Sequence, residues 1–309
     1  VYGAPSFAGA AMAIPVAVHM PKFYTDAVLV PLGWVALAMA LARVLDAILD
    51  PFVGWMSDHT HSRWGRRRPW IAVAAPLAAL AFVALFTPPA SLDSTEAAVW
   101  FGTALMLFFT LQMIYGLPHG ALGPELTLDY HERSTLFSVR EAFGLLGTIV
   151  AAIAPSLLHE VFADPRREFA LMAICYAVLM ISLYWLLVGV VRERPDFAKR
   201  ESNPLVPGVR RALRNRPFFI LFACYIVASI PGAIPGLLMP YFTEYVIQPE
   251  HPKRWLGVFL LVYVGSGLLC LPLWLAAARR FGKLNAWLAS FVMGVTGGSA
   301  MFFLGKGDT

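Results

Sequence analysis

Residues 41–70 read LARVLDAILDPFVGWMSDHTHSRWGRRRPW, an apolar helical run that carries three ionised side chains, Arg43, Asp46 and Asp50, and then breaks into a basic cluster. A charge at the centre of a bilayer costs about 2.5–3.5 kcal/mol on insertion scales. At about 100° per residue the three fall within roughly 60° of one another around the helix. They form one polar stripe, which must face protein or a water-filled cavity. One reading is a structural ion pair, with Arg43 neutralising one aspartate. That leaves the second carboxylate without a partner on its own helix. The other reading is a cation or proton site. Two carboxylates this close resist double ionisation, and a bound sodium ion or a proton relieves the repulsion.

Composition agrees with a membrane setting. Of 309 residues, 59% are hydrophobic and only 14% charged, where a typical soluble chain is about 45–50% apolar and about 25% charged. Mean hydropathy is +0.66. Nine apolar runs reach spanning length, at roughly 4–24, 30–57, 69–90, 97–123, 136–160, 168–191, 217–246, 255–278 and 284–304. They lack period-two alternation, so we expect helices and not a closed barrel. The fold class expected is all-α integral membrane. Three scattered cysteines in apolar runs, Cys175, Cys224 and Cys270, suggest neither a disulfide framework nor a metal cluster.

Lysine and arginine gather in the loops after the second, fourth, sixth and eighth runs. The positive-inside rule places these loops, and the N-terminus, in the cytoplasm. Such basic loops read as topology determinants beside anionic lipid; no nucleic-acid partner is expected.

The chain repeats itself. Arg63-Trp64-Gly65-Arg66 follows the second run, and Arg280-Phe281-Gly282-Lys283 follows the eighth, 217 positions later. The same offset carries the start of the first run, near residue 4, to residue 221, inside the start of the seventh run. Two homologous halves follow, with 1–195 as an N-terminal six-helix bundle, 196–216 as an inter-bundle loop and 217–309 as part of a second bundle. Counterparts of the fourth to sixth runs would lie beyond residue 309. We therefore expect nine helices of twelve, in a chain truncated at its C-terminal side.

Other polar groups lie at membrane depth. Arg140 could reach an aspartate of the second run or a substrate hydroxyl, or could extend to the headgroups. Tyr115, Gln112 and His119 are candidate cavity-lining groups, although a lone histidine is more often a packing residue. The seventh run contains SIPGAIPGLLMP, residues 229–240. Its prolines and glycines interrupt the helical ladder and mark a flexing element.

The segment DAILDPFVGWMSDHTHSRWGRRRPW, residues 46–70, resembles the most characteristic motif of the glycoside–pentoside–hexuronide:cation symporters, a family of the major facilitator superfamily that includes the melibiose permeases. LGPELTLDYHERSTLFSVREAFG, residues 122–144, resembles that family's fourth-to-fifth-span loop. YGAPSFAGAAMAIPVAVHMPKFYTD, residues 2–26, resembles its first span. The likeness covers the first 200 residues well and the rest loosely.

The resemblance implies two six-helix bundles rocking about a central site, and cation-coupled symport of a sugar or glycoside. By the match, Asp46 and Asp50 would couple the cation, and Arg140 would lie near the cation and sugar sites. Gly54, Asp58, Arg63, Gly65, Arg66, Arg67 and Arg68 would form a cytoplasmic gate, with Gly54 permitting close helix approach or, equally well, serving simple packing. The arginines would pair with Glu125, Asp129 and Glu132, near Arg133. Three family positions depart: a first-span sugar aspartate is Ala10, a fourth-span sugar aspartate is Gly116, and a cation-binding threonine is Met113. Galactoside recognition of the melibiose-permease type therefore does not carry over; one sodium ligand is missing, whereas a proton needs only the carboxylates, so of the two candidate coupling ions at Asp46 and Asp50 the proton ranks at least level with sodium. A non-sugar carrier and a non-transporting sensor on the same fold are the rival readings. No catalytic cluster, and so no enzyme, is expected, and no cofactor. The expected setting is a monomer in the inner membrane, whose partners are a small-molecule solute and the lipid bilayer.

Overall fold

A computed structural model describes residues 1–162, 164–194, 205–227, 242–250, 252–300 and 303–305. Every regular element among them is a helix. The chain divides into two compact units, Val1–Ser202 and Asn203–Thr309.

The first unit begins with α1 (Pro5–Ile14). It continues through two wider π segments, Pro15–His19 and Phe23–Ala27, on either side of a single α turn at Met20–Lys22. Pro15 and Pro21 have no N–H to give to the ladder, and a widened turn keeps the remaining bonds paired. Then come α2 (Leu32–His59), α3 (Arg68–Phe86), α4 (Ser94–Leu126), α5 (Tyr130–Val161) and α6 (Pro165–Val190). In the second unit lie α7 (Leu205–Arg214), α8 (Arg216–Val227), a π segment Phe242–Ile247, α9 (Pro252–Phe281) and α10 (Lys283–Ala300). Residues 229–240, where the sequence places a flexing element, lie outside the described residues, as do residues 196–204 of the expected inter-bundle loop.

Among the described residues, six helices are long and apolar enough to cross a membrane: α2, α3, α4, Tyr130–Ala154 of α5, α6 and Leu261–Phe281 of α9. Their starts are written in the sequence. Asp93 opens α4 with a capping box: its carboxylate accepts the Thr95 and Glu96 N–H groups at 2.8 and 2.7 Å, and Glu96 accepts the Asp93 N–H at 3.1 Å. Asp164 accepts the Arg166 N–H at 3.0 Å, with Pro165 in the first helical position of α6. Each cap satisfies amide groups that a helix end leaves unpaired.

The core of this unit rests on small residues. Ala74, Ala75, Ala78, Ala79 and Ala81 of α3 are buried, and α3 packs against both α4 and α6. In lipid, helix association depends on close van der Waals contact more than on the hydrophobic effect, so short side chains at the seam allow near approach. At one end, Phe23, Tyr24, Phe82, Phe86, Phe101 and Phe169 close the interior, and the Tyr24 hydroxyl donates to the Leu85 carbonyl at 2.7 Å. Outward, α2 exposes Trp34, Leu37, Val44, Ile48 and Phe52, the pattern of a helix against an apolar solvent.

The two repeated motifs share a backbone feature. Gly65 and Gly282 have φ of +110° and +85°, and they are the positive-φ glycines among the described residues. Each closes the turn between a long helix and its successor. Only glycine occupies that region without strain, so the repeat reflects one turn geometry used twice.

Candidate functional site

α2 turns Val35, Ala38, Ala42, Val53 and Ser57 inward and packs on α4. Asp46 continues this stripe at the middle of the helix, about 20 Å from either end at 1.5 Å per residue. Its side chain is 24% exposed. Arg43 Nη1 lies 3.6 Å from Asp46 Oδ2, a Coulombic contact longer than a hydrogen bond. The Arg43 guanidinium sits 4.8 Å from the centroid of the Phe109 ring on α4, held there by cation–π attraction. Asp50, one turn further on, is exposed and has no ion-pair partner among the described residues. The stripe expected from the sequence thus contains one loosely paired carboxylate and one surplus negative charge. Met113, where the resemblance puts a cation-binding threonine, is buried and offers no oxygen.

A second constellation joins the end of α2, the start of α3 and the end of α4. Arg66 and Arg67 are buried. Arg66 Nη2 donates to Glu125 Oε1 at 2.8 Å. Arg67 grips the same carboxylate with Nε at 3.1 Å and Nη2 at 2.8 Å, and Nη2 also reaches Asp58 Oδ1 at 3.1 Å. The fork geometry of the guanidinium gives direction as well as attraction. Arg68 points elsewhere, donating to the carbonyls of Trp64 and Val188. Arg63 is exposed on the turn.

Sequence reasoning missed the residue that organises this turn. The Glu193 carboxylate, just past α6, accepts the backbone N–H groups of Arg66, Arg67 and Arg68 at 2.7, 2.8 and 2.8 Å. A carboxylate on a helix N-terminus meets unpaired amides and the positive end of the helix dipole. Gly65 makes room for it: a Cβ there would lie 2.6 Å from Glu193 Cδ. The available signal was an isolated acid in the basic stretch Arg192-Glu193-Arg194.

The expected gate partners divide. Glu125 meets the arginines; Asp129 and Glu132 are used locally. Asp129 caps α5, accepting the His131 and Glu132 N–H groups at 2.8 and 2.7 Å, while Glu132 accepts the Thr127 hydroxyl at 2.6 Å. The hydrogen bond from the Glu132 amide is the main cause holding the Asp129 carboxyl below its usual range. Arg133 donates to the carbonyls of Pro124 and Thr127 at the end of α4. The close helix approach expected at Gly54 is also corrected, since a Cβ there would meet nothing within 4 Å. Close approach occurs instead at Gly3, Gly123 and Gly147, where α1 and its leading residues press on α4 and α5.

Of the cavity candidates, Tyr115 and His119 are buried within the helix packing. Tyr115 crosses Tyr184 with ring centroids 4.8 Å apart, and His119 lies 4.9 Å from the Tyr2 ring. Gln112 is half-buried on α4. Arg140 is half-buried on α5 and lies over the Phe137 ring at 5.9 Å, and that ring also meets Tyr2 with centroids 6.3 Å apart. No ion pair joins it to Asp46 or Asp50 among the described residues.

Comparison with known proteins fits this architecture. The chain is 27% identical, over 91% of its length, to an isoprimeverose transporter of Lactiplantibacillus pentosus, of which it covers 59%. It is 34% identical over 69% of its length to an uncharacterized symporter of Synechocystis, covering 39% of that protein. It is 28% identical over 94% of its length to the inner membrane symporter YicJ of Escherichia coli, covering 62%. The chain thus spans less than two thirds of each of these relatives. Residues 1–309 match the family described as MFS/sugar transport protein, and the chain belongs to that family as a multi-pass membrane protein.

Proposed function

We propose that this chain is the larger part of a secondary active transporter that moves a sugar or glycoside together with a proton or sodium ion by alternating access. The observation that carries the proposal is the mid-helix pair Asp46 and Asp50, with Arg43 satisfying only one of them. A carrier needs a site whose charge changes when the ion binds, and an intramembrane carboxylate is the usual device. Membership of a sugar transport family and the printed names of the relatives support a sugar-type solute. Arg140 and Gln112, half-buried on α5 and α4, are the side chains proposed to meet its hydroxyls.

In this reading Asp58, Gly65, Arg66, Arg67, Arg68, Glu125 and Glu193 hold the cytoplasmic end of the first bundle closed during part of the cycle. The basic loops and the N-terminus lie in the cytoplasm, and the protein is a monomer in the inner membrane. The test is uptake of labelled isoprimeverose and a panel of other sugars by the full-length protein in proteoliposomes, under separate proton and sodium gradients. Accumulation driven by one gradient is the expected result. Equal equilibration with and without either gradient would refute ion coupling.

A further inference from the structure

We propose that α7 is an interfacial helix, lying on the bilayer surface where α8 begins, with its arginines seated on anionic phospholipid headgroups whatever ion or solute the carrier moves.

Residues segregate by side along α7. At about 100° per residue, Leu205, Val206, Val209, Ala212 and Leu213 occupy positions within about 120° of the helix circumference. Arg210, Arg211 and Arg214 fall within about 100° on the opposite side. An apolar stripe backed by a basic one is the pattern of a helix that lies in the lipid–water interface. Residues 203–243 include no acid, so neither α7 nor α8 offers these arginines a carboxylate. Arg210, Arg214 and Arg216 are exposed and make no ion pair among the described residues. Leu213, in the apolar stripe, is 53% exposed, so the chain leaves that side open there.

The joint with α8 fixes where α7 ends. Asn215 is the single residue between the two helices. Its N–H donates to the Ala212 carbonyl at 3.0 Å and closes α7. Its carbonyl accepts the Phe219 N–H at 2.9 Å, and its side-chain oxygen accepts the Phe218 N–H at 3.4 Å, so the same residue caps α8. α8 exposes Phe218, Phe219, Ile220 and Leu221, four consecutive residues that point around a full turn. A helix apolar on all sides belongs at membrane depth. Arg216, which opens α8, then stands at the headgroup level, and a one-residue joint keeps the end of α7 at that level too.

A helix of 10 residues is too short to persist alone in water, so α7 needs a surface to lie on. Linkage to α8 makes contact with the bilayer intramolecular, and a small apolar stripe then suffices. Charge selects the lipid: three arginines without a local acid complement anionic headgroups and gain little from neutral ones.

The experiment uses full-length protein with Cys175, Cys224 and Cys270 replaced by Ser and a fluorophore on Leu213→Cys or on Pro207→Cys, the latter exposed on the basic side. Quenching by acrylamide, a neutral aqueous probe, is measured in detergent, in phosphatidylcholine nanodiscs, and in nanodiscs with stepwise added phosphatidylglycerol. Phosphatidylglycerol should shield the label at position 213 and leave the one at 207 open. Each arginine near an anionic surface favours the seated helix about fivefold, so Arg210→Gln with Arg214→Gln should lower the ratio of shielded to open label about 25-fold. Arg210→Lys with Arg214→Lys keeps the charge and should keep the shielding. High salt should open the label without any change at the arginines, which serves if the Gln pair does not reach the membrane. A label at 213 equally open with and without phosphatidylglycerol overturns the proposal. Shielding already complete in detergent or in phosphatidylcholine, and untouched by the Gln pair or by salt, shows the stripe covered by protein or by lipid of any charge and overturns it as well. Loss of shielding in the Lys pair equal to that in the Gln pair shows a structural use of the arginines, with the same consequence.

Discussion

Gly65→Ala puts the turn between α2 and α3 under two separate loads. The first is conformational: at φ +110° a residue with a Cβ costs about 1–2 kcal/mol relative to glycine. The second is displacement, because the new Cβ would stand 2.6–2.8 Å from the Glu193 carboxylate atoms. Moving that carboxylate breaks three hydrogen bonds from backbone amides. Each is charge-assisted, but they share one acceptor at a partly wetted helix start where water takes their place, so the joint loss is about 2–3 kcal/mol. Gly65→Ala should therefore cost about 3–5 kcal/mol and Glu193→Ala about 2–3 kcal/mol. In a Glu193→Ala background the carboxylate is already gone, and Gly65→Ala should cost only its conformational part, about 1–2 kcal/mol. Thermal unfolding of the purified full-length protein and its three variants in detergent reads this as a double-variant loss smaller than the sum of the singles. Strict additivity, with Gly65→Ala as damaging in the Glu193→Ala background as in the wild type, would refute the contact.

Asp46→Asn should abolish gradient-driven accumulation while sparing solute exchange; normal accumulation in proteoliposomes would count against the coupling role. Replacing Arg66 and Arg67 with Ala removes their ion pairs with Glu125 and Asp58, and should raise labelling of a cysteine placed at Ser57 by a membrane-impermeant reagent added from the cytoplasmic side; unchanged labelling would rule out a gate. Asp129→Ala should lower thermal stability near neutral pH by removing the α5 cap. Because the folded carboxyl titrates below its ordinary value, its contribution is fully present above about pH 4 and fades as pH falls through the folded value. The stability gap between Asp129→Ala and wild type should close in strong acid, and a gap that stays constant with pH would contradict the assignment.

The helices were legible because their apolar runs are long and their caps local. Asp93-x-x-Glu96 and Asp129-x-x-Glu132 both begin helices, and that same spacing was the overlooked sign that Asp129 and Glu132 serve the α5 start before they serve any arginine. The polar stripe of α2 was legible because helical geometry alone puts residues 43, 46 and 50 on one side. The repeat was legible as a short motif, and its glycines explain why: a positive φ leaves a mark in sequence. Contacts between distant segments were not. Glu193 lies more than a hundred positions from Arg66, and no periodicity links a loop acid to another loop's amides. For α4, apolar residues surround the helix, so nothing in the pattern distinguishes a core-facing Tyr115 or His119 from a cavity-facing one. The burial of both follows from Tyr2 and Tyr184, which approach from other segments.

Charge counting along α2 explains why either aspartate should be decisive. With all three groups ionised, Arg43, Asp46 and Asp50 sum to one net negative charge, and Arg43 is spatially committed to Asp46. Moving an unbalanced charge through a low-dielectric barrier is costly, so a bundle with that stripe empty resists reorientation, whereas one bound cation or proton brings the stripe to neutrality. One ion per cycle is the natural count. Removing the charge of Asp46 leaves Arg43 with Asp50 as its counter-charge, two turns away on the same side, and removing that of Asp50 leaves the Arg43–Asp46 pair. Either way the stripe is neutral without an ion, and the driving gradient loses its hold on the solute. If the stripe couples an ion as proposed, the arginine, which first reads as a burden in an apolar helix, would set the ion requirement at one.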